Sequence, residues 1–248
     1  MKLNRTVGKA AGSGVAVVAA LLLALTFATN DNGNAAHPAP ALPAPIGATP
    51  PASPPPADDA AAAAATPALA LLEEIPAATD MTYTKYDRDL FGQRWADVDR
   101  NGCDTRNDML RRDLIDLTFK AGTHDCVALT GTLNDPYTGE TITFTRVSKG
   151  YQPVQVDHVI PLAAAWYTGA AQWSDDTRLQ FANDPRNLQV TTANQTKGDR
   201  TPSSWMPPHG PCDYATRYVQ VAHAYDLTLA PDDITALRSA LTSCTPTH

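Results

Sequence analysis

Cysteine is scarce in this chain of 248 residues: Cys103, Cys126, Cys212 and Cys244 are all it has. None has a second cysteine at C-x-x-C spacing, which argues against a zinc–thiolate site. None stands close behind the N-terminal apolar run, which argues against a lipoprotein anchor. Basic residues are also in short supply, 19 Lys and Arg against 26 Asp and Glu, for a formal net charge of −7. That balance excludes a protein that holds a polyanion by bulk charge, but not a local cationic groove or a bound metal ion. The sequence shows no internal repeat, no phosphate-binding Gly loop and no nucleophile-elbow Ser. Its one long apolar run, "GVAVVAALLLALTFA" from Gly14 to Ala28, is short for a membrane span.

What is present divides the chain in three. Lys2, Arg5 and Lys9 precede the apolar run in the order of an export signal, so residues 1–35 are read as a signal peptide or uncleaved signal anchor. Residues 36–78 are rich in Pro and Ala and read as an extended, disordered linker. Residues 79–248 form the folded domain, long enough for a real core. An even cysteine count in an exported chain predicts two disulfides, with the local pairing Cys103–Cys126 and Cys212–Cys244 favoured among three possibilities. A secreted location, or a tethered one outside the membrane, follows from the same signal, with no stable span after cleavage.

Within the domain, "YTKYDRDLFGQRWADVDRNGCDTRNDMLRRDLIDLTF" carries apolar residues at helical spacing on both sides of a Gly-containing break, predicting two helices joined by a loop. "CVALTGTLNDPYTGETITFTR" alternates around a Pro/Gly turn and reads as a β-hairpin. "PVQVDHV" and "RNLQVTT" read as strands, separated by Ala-rich short helices. "ANQTKGD" opens a short helix, and two longer helices follow, the second starting at Pro231 with acidic residues in its first turn. The fold class is α+β, a small antiparallel core within a mainly helical, disulfide-bonded single domain.

The order strand, Asp157-His158, strand opened by Asn187, then Asn194, Lys197 and Asp199 on a helix resembles the HNH, or ββα-metal, endonuclease module. "DHVIPL", "NDPRNLQVTT" and "ANQTKGD" carry that likeness, and "NGCDTRNDMLRRDL" and "DPYTG" extend it to secreted bacterial HNH-family nucleases. The resemblance implies a metal-dependent endonuclease that hydrolyses phosphodiester bonds of DNA, RNA being left open, with little sequence specificity and 5′-phosphate products.

His158 is then the general base, since a neutral imidazole can deprotonate water near neutral pH. Asp157 and Asn194 offer hard oxygen ligands for one divalent cation, Mg2+ or Mn2+. Asn187 supports the loop that carries His158 and is grouped with the catalytic residues. Lys197, Arg106, Arg186 and Arg200 are candidate phosphate contacts, and Asp199 an outer acceptor. Each has a blander alternative: a strand-end turn for the Asp-His pair, a turn residue for Asn187, a helix cap for Asn194, a solvated cation for Lys197. The competing function is an exported, non-catalytic binding or cell-envelope domain. A monomer is expected, and nothing in the residues identifies an inhibitor protein.

Overall fold

The computed structural model describes residues 57–79 and 84–244. Residues 1–35, read as a signal, and residues 36–56 of the Pro/Ala-rich stretch lie outside the described residues. Between them, two antiparallel sheets and seven α-helices pack as two neighbouring cores. Helices α1 (Ala57–Glu74), α3 (Leu162–Tyr167), α4 (Asp175–Asn183), α6 (Pro211–Ala224) and α7 (Pro231–Cys244) surround one core, in which Leu72, Tyr214, Tyr218 and Phe181 are buried. Helix α2 (Thr105–Asp113) packs with the sheets in the other, around Leu110, Leu133, Phe144 and Leu188. The mixed α/β architecture agrees with the expectation. Among the described residues no helix is long and apolar enough to cross a membrane.

Two expected elements differ. The Ala-rich part of the stretch read as an extended linker is instead α1, which packs on α6 and α7 and buries Ala65, Ala68 and Leu72. Alanine's high helix propensity and the i, i+3, i+7 spacing of these three positions outweigh the internal Pro67. The ordered domain therefore begins before residue 79, and Ala78 N donates to Leu229 O at 2.8 Å to fix the stretch that follows. The two helices expected around "DRNGCDTR" are also shorter. The first is only a 3-10 turn over Arg88–Phe91, ended by Gly92 at φ 73°. The second stops at Asp113, and "LIDLTF" becomes strand β1 (Leu114–Phe119). Its apolar spacing suits either period, and the pairing of β1 with β2 (Ala128–Asn134) decides it, with an irregularity at Asp116, φ 53°.

The hairpin of β2 and β3 (Thr141–Thr145) is found where alternation predicts it. Strands β4 (Gln155–His158) and β5 (Leu188–Thr191) pair antiparallel, Asp157 opposite Gln189 and His158 opposite Leu188, with α5 (Asn194–Lys197) directly after. Buried Asp135 of the hairpin turn accepts from Thr191 Oγ1 at 2.9 Å and from Thr192 N at 2.7 Å, which ties the larger sheet to the β5–α5 corner. Val156 and Leu188 belong to the sheet core, whereas Val159, Ile160 and Leu162 belong to the helical one, so the end of β4 lies at the seam.

Each core carries its own covalent staple. Cys103 pairs with Cys126 across 23 residues and Cys212 with Cys244 across 32, the local pairing. The second joins the start of α6 to the end of α7. Replacing both its cysteines by Ser should cost about 3 to 4 kcal/mol, read as a lower urea midpoint with little change in slope. An unchanged midpoint would show that α6 and α7 hold without it.

Candidate functional site

Strand β4 ends at His158, and the chain then turns sharply through Val159, Ile160 and Pro161. Asn187 makes that turn: its Oδ1 accepts from Ile160 N at 2.8 Å, its Nδ2 donates to Ile160 O at 3.3 Å, and its own carbonyl accepts from Val159 N at 2.8 Å. With no exposed surface, Asn187 is a positioning residue and not one that meets a substrate. Its own segment is clamped in turn. Arg112 donates to the carbonyls of Pro185 and Leu188 at 2.6 and 2.7 Å, and Arg217 to the same two at 2.8 and 2.5 Å. Guanidinium forks are suited to gathering several carbonyls that would otherwise be buried without donors.

The imidazole of His158 is 8% exposed and its Nε2 lies 2.9 Å from Ala182 O. A carbonyl can only accept, so Nε2 carries the proton and Nδ1 keeps the lone pair. Burial pushes the His158 pKa down to about 3; the bond to Ala182 opposes this, and Arg88, Lys197 and Arg94 reinforce it. The ring is therefore a neutral base at pH 7. Trp95 lies nearly parallel to it, 9° between planes and 6.2 Å between centroids.

Asp157, His158, Asn194 and Asp199 line one open cleft of about 220 Å³ together with Pro161, Leu162 and Gly198. The Asp-His pair and the Asn of α5 thus line one cleft, the grouping that the resemblance implies. Asp157 is 4% exposed, and burial pushes its pKa up to about 6 against the opposing pull of Lys197. Lys197 Nζ stands 3.0 Å from Asp157 Oδ2 and donates to His158 O at 2.7 Å.

That contact corrects the reading of Lys197 as a phosphate ligand. Its side chain has no exposed surface and its ammonium is spent inside the protein, where it compensates the Asp157 charge and satisfies a strand-end carbonyl. Arg186 is also displaced from the cleft. It is fastened to Asp184 by three hydrogen bonds at 2.6 to 3.1 Å and lines a separate depression with Arg112 and Arg217. Arg106, half-buried on α2, lines neither recess onto which His158 opens. Arg200 is exposed just beyond Asp199, with Nη1 donating to Thr196 O at 2.5 Å.

The donor chemistry suits a hard divalent cation. Asp157 lines the cleft with its buried Oδ2 turned to the Lys197 ammonium at 3.0 Å, so a cation would meet this carboxylate through its other oxygen. Asn194 gives its Nδ2 to Gln155 Oε1 at 2.5 Å, which leaves Oδ1 as an acceptor, and Asp199 adds a second carboxylate to the cleft. Oxygen donors of this kind fit magnesium or manganese better than zinc. Among the described residues no three His, Cys, Asp or Glu side chains are grouped as a metal cage. A cation here would retain water or substrate ligands.

Sequence reasoning missed a second recess that His158 also lines, together with Arg88, Arg94, Trp95 and Asn183 among others. "RDLFGQRW" does bring two arginines close around a glycine, but no periodicity says which wall they join. It also missed Asp135, Arg112 and Arg217, which act only through distant partners.

Residues 104–229 match the family described as GmrSD restriction endonucleases, C-terminal domain. The matched stretch contains β4, β5, α5 and every cleft residue named above. An uncharacterized secreted protein of Arthroderma benhamiae is 37% identical over 165 residues, 64% of this chain and 76% of the relative. No solved structure matches the chain. With the match spanning half the chain and including the whole cleft, the protein belongs to the family of GmrSD restriction endonuclease C-terminal domains.

Proposed function

We propose that the protein is an exported, metal-dependent endonuclease that hydrolyses phosphodiester bonds of DNA with little sequence preference, RNA being a second candidate substrate, and that β4, β5 and α5 are its ββα-metal core. The observation that carries this reading is His158, held as a neutral base by Ala182 O on a cleft shared with Asp157, Asn194 and Asp199. The family supports it through the restriction endonucleases for which it is named, and the relative supports export.

In the proposed reaction Nδ1 of His158 takes a proton from water as the water oxygen attacks phosphorus. The bond from phosphorus to the 3′ oxygen breaks, the phosphate stays on the 5′ end, and the leaving oxygen is protonated from solvent. A divalent cation, Mg2+ or Mn2+, bound through Asp157 and Asn194 would supply the positive charge that stabilises the phosphoryl and leaving oxygens. Lys197 holds the Asp157 carboxylate and the end of β4 in register. Asn187 keeps the turn after His158 closed. Contacts of this kind fall on backbone phosphate, which carries no sequence information directly.

Supercoiled plasmid incubated with the oxidised protein should be nicked in Mg2+ or Mn2+, at a rate reduced by about 100-fold or more in EDTA. Plasmid left intact with every divalent ion would favour an exported binding domain instead.

A further inference from the structure

The turn Arg88–Phe91 and the loop after it lie outside the stretch shared with the family, yet they build a wall against the reactive imidazole. We infer that Arg88 and Arg94 form a second phosphate site beside His158, which binds a backbone phosphate flanking the one that is cut. This rests on the nuclease reading for the identity of the strand, but not for the anion chemistry of the recess.

The wall is anchored independently of any ligand. Phe91 is buried, 6.3 Å from the ring of Trp166 and 6.4 Å from that of Phe181. Arg178 Nε donates to Leu90 O at 2.9 Å, and Asp87 caps the turn by accepting from Asp89 N at 3.0 Å. Gly92 has φ 73°, and a Cβ there would meet Leu179 Cδ1 at 3.0 Å, so the chain passes close to α4 at a place that favours glycine. Trp95 holds φ 57°, a costly conformation for a bulky residue, and in it the indole lies beside the imidazole.

On this anchored segment neither guanidinium has an ion-pair partner among the described residues, although that of Arg88 also hydrogen-bonds the Tyr86 phenol oxygen. Both arginines line the same recess as His158. Asp89 is the recess's one carboxylate, so two fixed positive charges face one negative. Two planar guanidiniums without a carboxylate partner, beside a neutral imidazole, suit the two non-bridging oxygens of a phosphodiester. Because His158 lines both recesses, a strand in the Asp157–Asn194 cleft would reach this one through a neighbouring phosphate.

The test uses the oxidised full chain and a short fluorescein-labelled DNA duplex in EDTA, with binding followed by anisotropy between about 50 and 200 mM NaCl. Arg88→Gln/Arg94→Gln should weaken binding about tenfold at the low-salt end and reduce the salt slope by about 1 to 2, the loss of one or two phosphate contacts. Arg94→Gln alone, at an exposed side chain, should give about half of that change and keeps the test valid should the double variant fold poorly. With Mg2+ and plasmid, KM should rise while kcat stays within about threefold. If wild type cuts and both variants bind and cut like it, the phosphate site is wrong and the nuclease reading stands. If binding depends on the arginines but nothing is cut, the site stands and the nuclease reading falls. Absence of binding by wild type in EDTA overturns the phosphate site, whereas plasmid left uncut in Mg2+ or Mn2+ overturns the nuclease reading.

Discussion

His158→Ala should lower the initial rate of plasmid nicking by about 100- to 10,000-fold, the usual worth of a positioned general base. The fold should survive. His158 gives up one bond to Ala182 O and the contact with Trp95, while Asn187 still holds the turn through backbone groups of Val159 and Ile160. A loss of about 1 to 3 kcal/mol is reasonable for such a buried polar group. Far-UV circular dichroism and a shift of a few degrees in Tm would distinguish this from unfolding. Since burial holds the imidazole pKa near 3 and the Asp157 pKa near 6, a step in wild-type activity between pH 5.5 and 7.5 should come from Asp157, while the imidazole resonances of His158 followed by NMR stay constant over that range. A folded His158→Ala protein that nicks plasmid at the wild-type rate would remove the base from the mechanism.

The second large effect concerns stability. Lys197→Met should destabilise the fold by about 3 to 5 kcal/mol at neutral pH, because it leaves the buried Asp157 carboxylate without its compensating charge and His158 O without its donor. The pH dependence has a definite sign. Asp157 has a raised pKa in the folded state, about 6, so its contribution is most favourable below its unfolded value near 4 and is lost as pH rises through 6. Lys197 is the strongest group opposing that rise, so its removal should push the folded pKa higher still. The deficit of Lys197→Met relative to wild type should therefore grow between pH 5 and pH 8 and shrink in acid. A constant deficit would mean that methionine costs packing alone. Asp157→Asn combined with Lys197→Met should recover part of the loss, with no ion left buried.

The candidate cleft was legible in the sequence wherever its residues are neighbours or follow one strand-helix order. Asp157 and His158 are adjacent, Asn194 opens the helix after β5, and the structure brings all three to one cleft. The local cysteine pairing, favoured among three possibilities, is the one the structure shows. Lys197 shows where such reasoning ends. Its position one turn into α5 suits a solvent-facing cation equally well, and only the packing of that turn on β4 sends the ammonium inward to Asp157. Arg88 and Arg94 were invisible for the opposite reason, since the wall they build depends on Phe91 reaching a core formed by residues far along the chain. Helix α1 was misread because alanine and proline suggest a tether, whereas the partners that favour its helix, α6 and α7, come at the other end of the chain.

Strands β4 and β5 are hydrogen-bonded neighbours, yet the chain leaves at His158 and returns at Leu188 only after the excursion through residues 159–187. Asn187, Arg112 and Arg217 fasten its point of return by polar bonds that do not depend on how far the polypeptide has wandered. Lengthening a surface connection costs only about 0.6 kcal/mol per doubling. An insertion at an exposed position of this excursion should therefore leave the β4–β5 register and the cleft in place, whereas trimming into its buried residues, Trp166 and Phe181 among them, should not.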